Sequence, residues 1–216
     1  MTISETGELG LRERKRLATR RAIQLAALEL VAEHGLGGVT IDEISRVADI
    51  SPRTFFNYFP SKEEAVLGDP PKRPSDAASA EFVGGGSGDL FADLTDLLVG
   101  AWSETSIDRE VATIRQRVVK RYPELFALRL FTMRAFETEV AEIVAARLAN
   151  DRPDLVDDPA ALQRMARFGT LVGMAAMRSA WHSWIEEPAS AQEDALTALP
   201  RRIHESFDDL RALLER

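Results

Sequence analysis

Apolar positions recur at helical spacing along the whole of this chain, and no segment alternates with the period of two that a half-buried strand requires. From Leu11 to His34 the pattern predicts one amphipathic helix, with Leu17, Ile23, Ala27, Leu30 and Val31 on or near its buried face. Gly35 supplies the C-terminal stop. Thr40 is placed to cap a second helix, in which Ile41, Ile44, Val47 and Ala48 recur at helical spacing. Asp49-Ile50 makes a tight turn. Ser51 then caps a third helix, with Pro52 at its first position, where the missing N–H costs nothing.

Ser61, with Glu64 three residues on, starts a fourth helix near Lys62. Gly68 and Pro70-Pro71 stop it early. Residues 68–88, ending in Gly84-Gly85-Gly86-Ser87-Gly88, read as a long flexible loop. That run lacks the lysine and the preceding strand of a phosphate-binding loop. Helices follow at about 89–104, 108–121, 123–149, 158–187 and 191–215, punctuated by Pro123, Pro153, Pro159 and Pro188. Residues 1–10 read as a disordered tail. The expectation is an all-α protein of about nine helices, with a small N-terminal domain at 1–67 and a larger bundle at 68–216.

The third helix has an unusual division of faces. Phe55 and Phe59 share the inner side, while Arg53, Thr54, Asn57 and Tyr58 face outward and Phe56 lies at the edge. A buried aromatic side behind a hydrogen-bonding side suits a helix that enters a DNA major groove. Thr40 and Lys62 stand where phosphates would be held, and Ser51, the cap, is a further DNA-binding candidate. Arg12, Arg14, Lys15, Arg16, Arg20 and Arg21 form a cluster that can follow a phosphate backbone.

Residues 12–67 resemble the DNA-binding domain of the TetR/AcrR family of bacterial repressors. The resemblance is carried by Gly35, Thr40, Ile44, Ala48, Ser51, Thr54, Phe55, Phe56, Tyr58, Phe59, Ser61, Lys62 and Glu63. Asp49 stands where that pattern has a turn glycine, and Asp tolerates the left-handed conformation better than most residues. Tyr58 stands where histidine is common. The resemblance implies a homodimer joined through the last two long helices, a palindromic double-stranded operator, and an inducer bound inside the larger bundle. Gly173, Ala175, Ala176, Ser179 and Ala180 would allow the close helix approach of such an interface.

Charge sharpens this picture. The net charge of −8 opposes DNA binding, yet residues 1–62 carry +1 and residues 63–216 carry −9. Within the acidic part, residues 109–134 form a basic island of +5. It is read two ways, as internal pairing or as a site for an anionic head group. Aromatic and methionine stripes accompany it: Phe126, Phe131, Met133 and Phe136 on one helix, Phe168, Met174, Met177, Trp181 and Trp184 on another. Such stripes are commonly core, and they also line apolar pockets. The segment from Tyr122 to Ala149 loosely resembles family members with acyl-CoA-like ligand domains. The candidate effector site is therefore Phe126, Phe136, Met174 and Trp181 with Arg121 and Arg129, for an apolar or amphipathic molecule such as an acyl-CoA.

Other chemistry finds no support in the sequence. The three histidines are far apart, cysteine is absent, and no hydrolase, zincin or nucleotide-binding motif occurs. No enzyme activity, cofactor or metal is expected. No apolar run is long enough to span a membrane, so a cytoplasmic protein is expected. A helical ligand-binding or scaffold protein, whose helix-turn-helix serves protein contacts, is the rival reading.

Overall fold

The computed structural model describes residues 10–69, 71–103, 108–186 and 195–214. The expected N-terminal tail, Pro70 and Pro188 lie outside them. Among the described residues there are ten α-helices and no strand. They are α1 (Leu11–His34), α2 (Ile41–Val47), α3 (Pro52–Phe56), α4 (Lys62–Leu67), α5 (Asp76–Val83), α6 (Leu90–Ser103), α7 (Arg109–Arg121), α8 (Pro123–Asp151), α9 (Pro159–Glu186) and α10 (Ala195–Leu214). The helix α5 corrects the expectation of a continuous loop at 68–88. Ser75 caps it, its hydroxyl accepting from the Ala78 N–H at 3.2 Å.

The chain divides into two compact units. The first comprises Met1–Asp69 together with Glu110–Phe126, and the second Pro70–Arg109 with Ala127–Arg216. The first unit thus combines an N-terminal segment ending at Asp69 with a later segment that groups with the N-terminal helices.

In the first unit, Ile23, Leu28, Val31, Val39, Ile44, Phe55, Phe59 and Val66 are buried. Gly35 ends α1 at φ 77, its N–H bonded to the Val31 carbonyl at 2.9 Å. Asp49 takes φ 54, the only positive φ outside glycine among the described residues.

The second unit packs α5, α6, α9, α10 and most of α8 around Phe82, Leu94, Leu98, Phe136, Val144, Met177 and Phe207. Gly173 is buried in α9, where an added Cβ would lie 2.8 Å from Leu94 Cδ2. Ala176 and Ala180 are buried as well. The close approach these small residues permit is therefore to the interior of their own unit. Only Ala175 and Ser179 of that set lie on the exposed side of α9.

Arg147 is buried in this core, and its partners organise the glycine run. One Nη donates to Asp93 at 2.9 Å and to the Phe82 carbonyl at 2.7 Å, while Nε donates to Asp151 at 2.5 Å. Asp93 also accepts from the Ser87 N–H at 2.8 Å. A Cβ at Gly86, where φ is +27, would come within 2.7 Å of the Asp93 carboxylate. The run is thus folded against a buried ion pair. Burial pushes the Asp93 carboxyl up, but its bonds from Ser87 and the Arg147 guanidinium outweigh this and hold it below the usual value.

Removing Asp93 leaves Arg147 with one carboxylate in a buried setting. Asp93→Ala is expected to lose about 3 kcal/mol at neutral pH. Because the folded carboxyl titrates below the unfolded one, the stabilisation is full above the unfolded value of about 3.9 and fades as pH falls through the folded one. Denaturant unfolding should show the gap between wild type and variant narrowing progressively as pH falls below about 4.

Candidate nucleic-acid interface

Helices α2, α3 and α4 are short, with seven, five and six residues. Each needs side chains to fix its ends. Thr40 and Glu43 form a capping box at the start of α2. The Thr40 hydroxyl accepts from the Glu43 N–H at 3.3 Å, and the Glu43 carboxylate accepts from the Thr40 N–H at 2.8 Å. Those backbone and hydroxyl bonds from Thr40 hold the Glu43 carboxyl below its ordinary value. Ser51 starts α3, its hydroxyl accepting from the Thr54 N–H at 3.1 Å, and the Ser51 and Thr54 hydroxyls are bonded to each other at 2.8 Å.

Phe55 and Phe59 are buried with ring centroids 6.1 Å apart. Arg20 of α1 lies over the Phe59 ring at 4.1 Å, donates to the Tyr58 carbonyl at 3.1 Å, and pairs with Asp69. The outward side of α3 and its following turn is left to solvent. Arg53, Asn57 and Phe56 are exposed, Phe56 by 56%, while Thr54 and Tyr58 are half-buried. A cation, an amide and an apolar ring on one face match, respectively, guanine, adenine and the thymine methyl.

The other expected contacts divide into two groups. Arg12, Arg14, Lys15 and Arg53 are exposed and make no ion pair among the described residues. Arg16 is exposed and held by Glu13 at 2.7 Å. Lys62, by contrast, donates to the Leu36 carbonyl at 2.8 Å and to the Val39 carbonyl at 2.7 Å. It ties the segment before α2 to the start of α4.

The basic island is divided between the two units. Arg121 donates to the Ala32 carbonyl at the end of α1 at 3.2 Å, and Arg115 to the Val66 carbonyl at the end of α4 at 2.8 Å. Arg121 and Phe126, with Phe126 half exposed, belong to the first unit. Phe136, Met174, Trp181 and Arg129 belong to the second. Phe136 is core there, Met174 packs on that core, and Trp181 lies 5.4 Å from Trp184. Arg129 is half-buried, and burial lowers its guanidinium pKa. The six proposed effector residues therefore do not assemble within one unit.

The later segment changes the charge of the first unit. With Glu110–Phe126 included it holds thirteen Lys/Arg and thirteen Asp/Glu, so the whole net charge of −8 resides on the second unit. Periodicity alone does not reveal this, because Arg115, Arg117, Lys120 and Arg121 sit about fifty residues downstream of α4. No group of three or more metal-ligating side chains occurs among the described residues, and none of their helices is long and apolar enough to cross a membrane.

Residues 23–67 match the family described as bacterial regulatory proteins, tetR family. The transcriptional regulator MftR of Mycobacterium tuberculosis is 29% identical over 208 residues, covering 94% of each chain. The HTH-type transcriptional regulator TcmR of Streptomyces glaucescens is 32% identical over 157 residues, 67% of each chain. Among solved structures, NalD of Pseudomonas aeruginosa, the secondary repressor of the MexAB-OprM multidrug efflux pump, aligns with a TM-score of 0.48 at 18% identity, covering 90% of this chain and 96% of its own.

Phe59 is the test of the inner face. Phe59→Ala is expected to cost about 3–5 kcal/mol, read as a lowered denaturation midpoint. An unchanged midpoint would mean that the aromatic pair does not form the core of this unit.

Proposed function

The chain belongs to the tetR family of bacterial regulatory proteins, and on that premise we propose that it is a homodimeric repressor released from a palindromic operator by a small effector. Its relatives are transcriptional regulators rather than enzymes. The observation that carries the reading is the face of α3, where Arg53, Phe56 and Asn57 are exposed on a buried Phe55–Phe59 base, in the same unit as the exposed cations Arg12, Arg14 and Lys15 of α1.

Dimerisation is assigned to α9 and α10 of the second unit. Met165, Phe168 and Leu171 on α9 and Leu213 on α10 are exposed, Phe168 by 70% and Leu213 by 72%. Exposed Arg164 and Arg167 flank the α9 stripe, and exposed Asp208 and Asp209 lie on α10. In an isologous pairing the basic face of one protomer can meet the acidic face of its partner. A two-fold dimer then presents two copies of α3 to a palindrome.

The effector is assigned to the second unit, as a small apolar or amphipathic molecule, with acyl-CoA as the specific candidate. Its support is the apolar interior around Phe136 and Met174, in the unit that also holds the half-buried cation Arg129. Binding releases DNA if the effector favours the conformation that fits the operator less well.

Three measurements test these assignments. The chain should retard duplex DNA from its own upstream region and not a scrambled duplex; equal retardation of both would sink the operator reading. Arg53→Ala should alter base preference at one position at a cost of about 1–3 kcal/mol, while Arg14→Ala should weaken all duplexes alike and reduce the salt slope by about one. Phe168→Asp should give a monomer by light scattering with weakened operator binding, whereas a persistent dimer would place the interface elsewhere.

A further inference from the structure

Helix α7 joins the first unit from far along the chain, and three of its contacts there set its course. Near its start Glu110 pairs with Arg21 of α1. At its end Arg121 donates to the Ala32 carbonyl of α1. The two attachments are eleven residues apart on both helices, from 21 to 32 and from 110 to 121, so α7 runs in the same direction as α1 for about 16 Å. Between them Arg115 reaches the other way, its Nε donating 2.8 Å to the Val66 carbonyl of α4.

The Val66 carbonyl lies in the last turn of α4, where no helical N–H can satisfy it, and a cation is favoured there. Gly68 lets the chain leave at φ +70 and also makes room. The Arg115 guanidinium lies so close that a Cβ at Gly68 would be 3.0 Å from Cζ. The opposite end of α4 is already tied, through Lys62, to the Leu36 and Val39 carbonyls. With both ends fixed, α4 anchors the chain that leaves α3, whose own following turn is tied to α1 through Arg20.

We propose that Arg115 is a positioning residue for operator recognition, acting as the α4 end of an α7 strut that fixes the register between the phosphate-contacting residues of α1 and the base-contacting residues of α3. Sequence-specific binding needs both sets of contacts at once, whereas binding to random sequence needs only the phosphates. A loosened strut therefore lowers specific affinity and spares non-specific affinity. This separates positioning from general destabilisation, which lowers both by the same factor. The proposal rests on the DNA-binding reading of α3.

The test is fluorescence anisotropy with two duplexes, one selected by the wild-type chain from a random pool and one of scrambled sequence. Losing a charged hydrogen bond predicts about ten-fold weaker binding of Arg115→Met to the selected duplex, with scrambled binding unchanged. Arg115→Lys, which keeps a cationic donor, should recover most of the loss. Should Arg115→Met not fold, Arg121→Met at the exposed end of the strut carries the test, with a loss of about three-fold confined to the selected duplex. Unchanged specific affinity, an equal loss on both duplexes, or no recovery with lysine overturns the proposal. A wild-type chain that selects no duplex overturns the DNA-binding reading along with it.

Discussion

Short helices are mostly ends, and the first unit is built around that constraint. An α-helix leaves its last four carbonyls without internal partners. In α2, α3 and α4, of seven, five and six residues, that is most of the helix. Four cations bond main chain at or near these ends: Lys62 to Leu36 and Val39 ahead of α2, Arg20 to Tyr58 after α3, Arg115 to Val66 in the last turn of α4, and Arg121 to Ala32 near the end of α1. Each contributes a charge-assisted bond to main chain, and such bonds are stronger than neutral ones. The aromatic pair Phe55–Phe59 is buried with Ile23, Leu28, Val31 and Ile44, and the cations bind main chain around that core.

This second use of positive charge explains a division among the basic residues. Arg20, Lys62, Arg115 and Arg121 are committed to carbonyls, while Arg12, Arg14, Lys15 and Arg53 stand on the surface of a unit with equal numbers of each charge. Electrostatic attraction to DNA then depends on where the uncommitted cations sit, since no net positive charge is available. The acidic second unit adds a general repulsion from nucleic acid, which weakens binding to arbitrary sequence.

Much of this was legible in the sequence where the signal is local. Thr40, Ser51, Pro52, Gly35 and Asp49 act through neighbours within four residues, and they mark the helix ends and the turn. The polar and aromatic faces of α3 follow from spacing alone. Other features depend on partners distant in the chain. Arg115 and Arg121 read equally well as internal partners or as an anion site until their acceptors, 49 and 89 residues away, are known. The small residues Gly173 and Ala176 mark close packing without telling which neighbour approaches. The glycine run 84–88 looked like slack chain, because the buried Arg147–Asp93 pair that shapes it joins α6 to α8. Helix α5 was missed because eight residues with three alanines carry little periodicity.

The acceptors of these four cations are backbone atoms, and that fixes how the contacts would register in variation. Val66, Ala32, Leu36, Val39 and Tyr58 can each be exchanged for many other residues without removing the carbonyl. Constraint therefore falls on one member of each pair only. Paired changes across related chains would not report these contacts, because the second position has nothing to compensate. A saturation scan would show the same asymmetry, with intolerance at Arg20, Lys62 and Arg115 and intolerance of a different origin at Gly68, where a side chain would displace the guanidinium. The junctions between these side chains and main chain are thus hidden from methods that look for partners and visible to those that score single positions.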